Sequence, residues 1–207
     1  MSLVDLYMHY SISNDIVNIP VVVRSSFPTR ITSVDMVFTW DNTKLQLIGL
    51  DNTGTLANTN MSFFPGCCSW DYYGMNEVVP PQDGNGLYFW LAPLTGVPVM
   101  VSNEALLTTF KFRKLTNFTS TTVDIIPQFT VTWPADTIIY GSGGNVTGTI
   151  HGITISLGDL DQNGAVGASD LALFLAEWGT INPSPCDLNN DGIVNGGDLG
   201  LLLTNWS

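Results

Sequence analysis

The feature that most constrains this chain is an internal duplication near its end. Gly158-Asp159-Leu160-Asp161-Gln162-Asn163-Gly164 recurs 28 residues later as Cys186-Asp187-Leu188-Asn189-Asn190-Asp191-Gly192. The register then holds through Val166 and Val194, Asp170 and Asp198, Leu171 and Leu199, Leu173 and Leu201, Leu175 and Leu203, and Trp178 and Trp206. A repeat that keeps its acidic, glycine and apolar positions together is one structural unit used twice, since so short a unit cannot bury its apolar face alone. Each copy must pack against its twin, and each must neutralise the same acidic residues.

Charge makes the second demand acute. The chain carries 18 acidic and 6 basic side chains, a formal charge of -12, and no Lys or Arg follows position 114. A field of that sign repels a phosphate backbone and argues against nucleic acid as a partner. It also leaves the repeat without a local base. A hard divalent cation such as calcium takes six to eight oxygens, and a twelve-residue loop offers them from positions 1, 3 and 5, the carbonyl of 7, and a carboxylate at 12. The first copy supplies Asp159, Asp161, Asn163, the Ala165 carbonyl and Asp170; the second supplies Asp187, Asn189, Asp191, the Ile193 carbonyl and Asp198. Gly164 and Gly192 fall at position 6, where the loop turns sharply and positive φ is needed. Val166 and Ile193-Val194 place a branched apolar residue near position 8, where paired loops pack on each other. Two calcium ions are the expected cofactors, with ion binding coupled to folding.

Position 12 is Asp where ordinary EF-hands have Glu, and one short helix follows each loop. In both respects residues 158–207 resemble a type I dockerin. The resemblance implies two apolar helix faces, Leu171, Phe174, Leu175 and Trp178 on one and Leu199, Leu202, Leu203 and Trp206 on the other, expected to pack helix on helix. At the positions where dockerins contact a cohesin the chain carries Ala168, Ser169, Leu175 and Ala176 in one copy and Gly196, Gly197, Leu203 and Thr204 in the other.

Upstream the pattern is different. Strand candidates are Leu3 to Tyr10, Val17 to Arg24, Ile31 to Trp40, Lys44 to Leu50, Ser69 to Val79, Leu87 to Leu94, Glu104 to Lys114, Thr121 to Ile126, Phe129 to Trp133 and Val146 to Leu157. Asp51-Asn52-Thr53-Gly54, Asp83-Gly84-Asn85-Gly86 and Gly141-Ser142-Gly143-Gly144-Asn145 separate them as turns. Leu106, Thr108, Phe110 and Phe112 share one strand face and Thr109, Lys111 and Arg113 the other, so one side is buried and one wet. The expected fold is mainly β, an antiparallel jelly-roll-like β-sandwich over residues 1–156, with a small α-helical paired-loop module over residues 157–207. With almost no linker between them, the two parts are expected to touch. The runs Ile19-Pro20-Val21-Val22-Val23, Ile31 through Asp41, Lys44-Leu45-Gln46-Leu47 and Leu107 through Phe112 resemble those of a cohesin domain, and related sandwiches occur in carbohydrate-binding modules.

The aromatic residues Trp70, Tyr72, Tyr73 and Trp90 have two open uses, a stacking platform for sugars or filling of the core. His9 and His151 are the only histidines, no Gly-x-Ser-x-Gly occurs, and the best acidic clusters are committed to metal, so no enzyme is expected. Of three cysteines, Cys67 or Cys68 is expected to meet Cys186 in a disulfide joining the two parts. No stretch approaches the roughly 20 apolar residues of a membrane span, and the start MSLVDLYMHYS lacks the basic and apolar regions of a signal peptide. The resemblances imply a non-catalytic protein, secreted or at the cell surface, acting in cohesin–dockerin assembly tied to polysaccharide breakdown or surface attachment. Its partner would be a cohesin- or dockerin-bearing protein, including this chain itself in cis or head to tail. The alternative is a carbohydrate-binding module with a structural calcium appendage, whose partner would be a polysaccharide.

Overall fold

A computed structural model describes residues 3–56, 84–91, 99–129, 135–181 and 184–207. The elements are β1 (Val4–Met8), β2 (Ser11–Ser13), β3 (Ile16–Trp40), β4 (Leu45–Asp51), β5 (Asn85–Leu91), β6 (Val99–Lys114), β7 (Ser120–Ile126), β8 (Gln128–Phe129), β9 (Ala135–Asp136), β10 (Ile138–Gly141), β11 (Gly144–Asn145), β12 (Thr147–Ile150), β13 (Ile153–Ser156), α1 (Ala168–Ala176) and α2 (Gly196–Thr204). Among the described residues no helix is long and apolar enough to cross a membrane.

The 25-residue strand β3 organises the body. Its first half pairs with β6 on one side and β1 on the other; its second half pairs with β5 on one side and with β10 and β7 on the other. Core positions on β3 are odd through Ile31 (Val17, Ile19, Val21, Val23, Ile31) and even from Val34 (Val34, Met36, Phe38, Trp40), all within one cluster. Because side chains alternate along a strand, the change needs a one-residue slip, and the pairing with β10 slips by one residue between Ile31 and Ser33. Rings from β3 and β6 meet there: Phe38 stacks on Phe110 with centroids 4.3 Å apart, and Trp40 meets Phe112 edge-on at 5.5 Å.

Three expectations are corrected. Val17 to Arg24 and Ile31 to Trp40 are one strand, because the Ser25-to-Thr29 stretch bulges instead of turning. Ser25 and Thr29 face Asn103 and Val101, leaving two extra residues on β3. Pro28 sits within that bulge, where no ladder donor is required. The bulge closes locally through Ser25 Oγ to Thr29 Oγ1 at 2.8 Å and Thr29 Oγ1 donating to the Phe27 carbonyl at 2.8 Å. Val146 to Leu157 is two strands with different partners, since β12 pairs with β1 and β13 with β7. The chain breaks at Gly152, where a Cβ would collide with the Asp124 carboxylate. The β1–β12 pairing is parallel, so the sheet is not purely antiparallel. The strand at Ile138–Gly141 was not foreseen, while Ser69 to Val79 lies outside the described residues.

The sandwich ends at Leu157, whose side chain belongs to its core cluster. A separate apolar cluster follows, made of Val166, Phe174, Cys186, Leu188, Val194 and Leu202, with Leu160, Leu171, Leu199 and Leu201 packed against it.

Candidate metal centre

The two repeats fold as twins and hold each other by exchange. Gly179 N donates to the Val194 carbonyl at 2.9 Å and Val194 N to the Thr180 carbonyl at 3.1 Å. Twenty-eight positions on, Ser207 N donates to the Val166 carbonyl at 3.1 Å, and Val166 N donates to Ser207 Oγ at 3.1 Å. The valine of each loop thus pairs with the chain that leaves the other helix. Phe174 and Leu202, the equivalent residues of α1 and α2, are both fully buried between the copies.

Within each loop the turn is made twice over. Gly164 and Gly192 adopt φ of 93° and 91°, and position 4 is left-handed as well, at Gln162 (59°) and Asn190 (60°). The position-1 carboxylates collect the amides this turn exposes. Asp159 Oδ1 accepts from Asn163 N at 3.1 Å and Oδ2 from Gly164 N at 3.0 Å; Asp187 Oδ1 accepts from Asp191 N at 3.1 Å and Oδ2 from Gly192 N at 2.9 Å. The position-12 carboxylates, fully buried, tie loop to helix. Asp170 accepts from Leu160 N (2.7 Å), Asp161 N (3.1 Å) and Gly167 N (2.8 Å), and Asp198 accepts from Asn189 N (3.0 Å) and Asn195 N (2.9 Å). Each sits three residues into its helix, so it also satisfies the backbone N–H at the helix start.

These bonds bring together the side chains expected from the spacing. Oxygens of Asp159, Asp161 and Asp170 lie within 4.8 Å of one another, and so do oxygens of Asp187, Asp191 and Asp198. Charge and amide swap places between copies, Asp161 and Asn163 against Asn189 and Asp191, and in each loop the amide donates to its neighbour's carboxylate, at 2.8 and 3.0 Å. Partial burial pushes the Asp159 carboxyl above the usual range, while Ser169's hydroxyl and nearby amides hold Asp161 below it; Asn189 and the Ile193 amide likewise lower Asp191. The ion pairs among the described residues, Arg24–Glu104, Lys44–Asp41, Lys111–Asp51 and Arg113–Asp15, all lie in the sandwich. Three converging carboxylates with an amide oxygen form a hard, all-oxygen donor set, and a divalent cation of calcium's kind fits it.

Three functional contacts escaped the sequence. Asn195, at position 9, donates to the Ile193 carbonyl at 3.1 Å and to Asp191 Oδ2 at 3.3 Å, while its own oxygen accepts from Gly197 N at 2.7 Å. An Asn just before a helix is the signal that could have found it. Tyr10 and Lys114 reach the module from the sandwich. The Tyr10 hydroxyl lies 3.3 Å from the Asp159 carbonyl, 3.4 Å from Asp159 Oδ2 and 3.4 Å from the Ser156 carbonyl. Lys114 Nζ donates to the Leu188 carbonyl at 3.4 Å. In the orientation that satisfies its amide, Asn190 accepts from Lys114 Nζ at 3.0 Å and donates to the Asn14 carbonyl at 3.2 Å. Lys114 is the last base of the chain and is buried, which lowers its pKa against the pull of Asp15 and Asp187. Between the two parts lies a small cleft lined by Tyr10, Ile12, Lys114, Leu160, Pro185 and Leu188 among others.

Other expectations are corrected. The helix faces do not pack as drawn: Phe174 and Leu202 are buried, but Leu175, Trp178, Leu203 and Trp206 are 53%, 50%, 51% and 45% exposed, a symmetric apolar surface. Each nine-residue helix buries a single apolar side chain beside its position-12 carboxylate, too little to cover a full apolar face. Trp90 is fully buried in the core on β5, so its ring offers no stacking surface. Trp70, Tyr72 and Tyr73 lie outside the described residues. Cys186 is a free, buried thiol in the module's apolar cluster, and Cys67 and Cys68, its expected partners, lie outside the described residues.

No family model matches the chain, and no curated protein matches it by sequence. Solved structures do. A type I cohesin–dockerin complex of Clostridium thermocellum, Coh-OlpA-Doc918, contains a chain similar over 74% of this one and 98% of its own length, with a TM-score of 0.53 at 12% identity. The seventh ScaB type I cohesin of Pseudobacteroides cellulosolvens matches over 74% and 91% at a TM-score of 0.51 and 10% identity, and the solution structure of CaCohA2 from Clostridium acetobutylicum over 74% and 90% at 0.51 and 18%. At these identities the likeness is one of fold, and the fold is that of a cohesin domain.

Proposed function

We propose that this chain is a non-catalytic, extracellular assembly protein in which a cohesin-like sandwich carries a dockerin-like module that binds two calcium ions. The observation that carries the reading is the pair of carboxylate clusters, three oxygens within 4.8 Å in each loop of a duplicated fold, with positions 1 and 12 shared and the third carboxylate at position 3 in one copy and 5 in the other. The ions would be held by Asp159, Asp161, Asn163, the Ala165 carbonyl and Asp170, and by Asp187, Asn189, Asp191, the Ile193 carbonyl and Asp198. They would supply the positive charge that the chain after position 114 lacks.

Packing of the module on its own sandwich supports assembly in trans. Tyr10, Lys114 and the Asn205 amide, which donates to the Leu157 carbonyl at 2.9 Å, hold one side of the module, and the exposed Leu175, Trp178, Leu203 and Trp206 are left for a partner. That partner is a cohesin- or dockerin-bearing protein, and a second copy of this chain meets the description because it carries both parts. The solved complex of the C. thermocellum cohesin with its dockerin is the precedent in fold for such a pairing.

Calorimetric titration with calcium, followed by sedimentation velocity with calcium and with chelator, tests the reading. Uptake of two ions per chain, with oligomers formed only in calcium and lost in a Trp178→Ala, Trp206→Ala variant, is the head-to-tail outcome. Two ions with a monomer in both conditions assigns the exposed surface to a different protein. No calcium uptake overturns the proposal.

A further inference from the structure

We propose that Tyr10 of the sandwich is a positioning residue for the first calcium loop, so that the sandwich tunes one loop and not its twin. The inference rests on the calcium reading above and adds a residue from the opposite end of the chain.

The comparison between loops isolates the contact. Inside their own loops, Asp159 and Asp187 are held alike, each oxygen accepting one amide at 2.9 to 3.1 Å. They differ in what approaches from the sandwich. Tyr10, 6% exposed between β1 and β2, places its hydroxyl 3.4 Å from Asp159 Oδ2 and within 3.4 Å of the Asp159 and Ser156 carbonyls. Its one proton serves those three acceptors in turn. Among the described residues no tyrosine hydrogen-bonds Asp187; what reaches the second loop is the Lys114 ammonium, bonded to the Leu188 carbonyl at position 2.

The hydroxyl stands within hydrogen-bond reach of Asp159 Oδ2 and of the carbonyls on either side of the loop entry, so it fixes the orientation of a carboxylate that would be a ligand. A ligand already held in place loses less freedom when a cation is bound, and the contact thereby raises the affinity of the first loop. The second loop, facing an ammonium, receives no such help, and a positive charge opposes a dication. Two loops with nearly the same ligands are thereby made unequal by residues outside both.

The test uses the full chain, labelled for NMR and titrated with calcium. The Gly164 and Gly192 amides each donate to the position-1 carboxylate of their own loop, so each reports its own site. In Tyr10→Phe, which keeps the ring and removes only the hydroxyl, the Gly164 midpoint is expected to move to about tenfold higher calcium, with the Gly192 midpoint unchanged. The Gly192 signal also certifies that the variant is folded. An unmoved Gly164 midpoint, or equal movement of both glycines, overturns the role of Tyr10. Glycine amides that ignore calcium in the unaltered chain overturn the calcium reading itself, a separate outcome.

Discussion

Phe110 in the sandwich and Phe174 in the module are both fully buried, yet they stand in very different surroundings. Phe110 stacks on Phe38 and meets Tyr88 and Phe112 edge-on at 6.3 and 6.4 Å, inside a cluster fed by most strands of the body. Phe174 has five other buried apolar residues for company, with Trp178 edge-on at 5.7 Å and half exposed. A core that small seldom folds unaided. The module also has to hold two groups of three carboxylates, and like charges brought together in a partly dry site repel. The sandwich stands on buried apolar area, whereas the module on the proposed reading stands on its ions. The same residue type therefore reports two different sources of stability.

The largest expected effect breaks the module alone. Asp170→Ala with Asp198→Ala removes both position-12 carboxylates and the amide bonds they accept. Two lost sites at a hundredfold excess of calcium over Kd amount to roughly 5 kcal/mol. Hydrogen exchange should show the Val166 and Val194 amides losing protection while those of Ile19 and Phe110 keep theirs; equal loss in both regions contradicts the division. Next, Phe110→Ala and Phe174→Ala should each cost about 3 to 5 kcal/mol, the first alike with and without calcium, the second only where calcium has folded the module. Thermal unfolding at two calcium concentrations separates them.

The smallest effect concerns acid. Asp35, on β3, is half-buried with one carboxylate oxygen unpartnered among the described residues, and burial pushes its pKa up to about 6. A carboxyl raised in the folded state is destabilising when ionised, so its penalty is full above pH 6 and fades as pH falls through 6 toward 4. Asp35→Asn should raise stability by roughly 1 kcal/mol at pH 7, after allowing for solvent screening, and by nothing at pH 4. The module should respond in the opposite direction, because protonating its carboxylates weakens metal binding. Denaturant melts across that range decide whether the two regions diverge.

Much of the candidate site was legible because its ligands are local. Asp159, Asp161, Asn163 and Asp170 span twelve residues, and the glycine, apolar and carboxylate positions recur together in the second copy, so spacing alone implied which side chains converge. Strand positions such as Phe110 and Phe112 were legible through alternation. The joining of β3 was not, because Ser25 to Thr29 has the composition of a turn, and whether such a segment turns or bulges depends on what β6 offers opposite it. Trp90 was ambiguous for the same reason: an aromatic on a strand is core or surface according to the layer it faces.

The sequence by itself determined the duplicated loops, the need for a counter-charge after position 114, and a β body before them, since each follows from residue types at short and regular spacing. Only the tertiary structure decided that each loop's valine pairs with the chain leaving the other helix, that Leu175, Trp178, Leu203 and Trp206 stay exposed, and that Tyr10 meets Asp159 across 149 positions. Those outcomes depend on how separate surfaces come to rest against one another. Contacts of that kind have no period in the chain, and they exist only once the β body has brought Tyr10 and Lys114 to the side where the module docks.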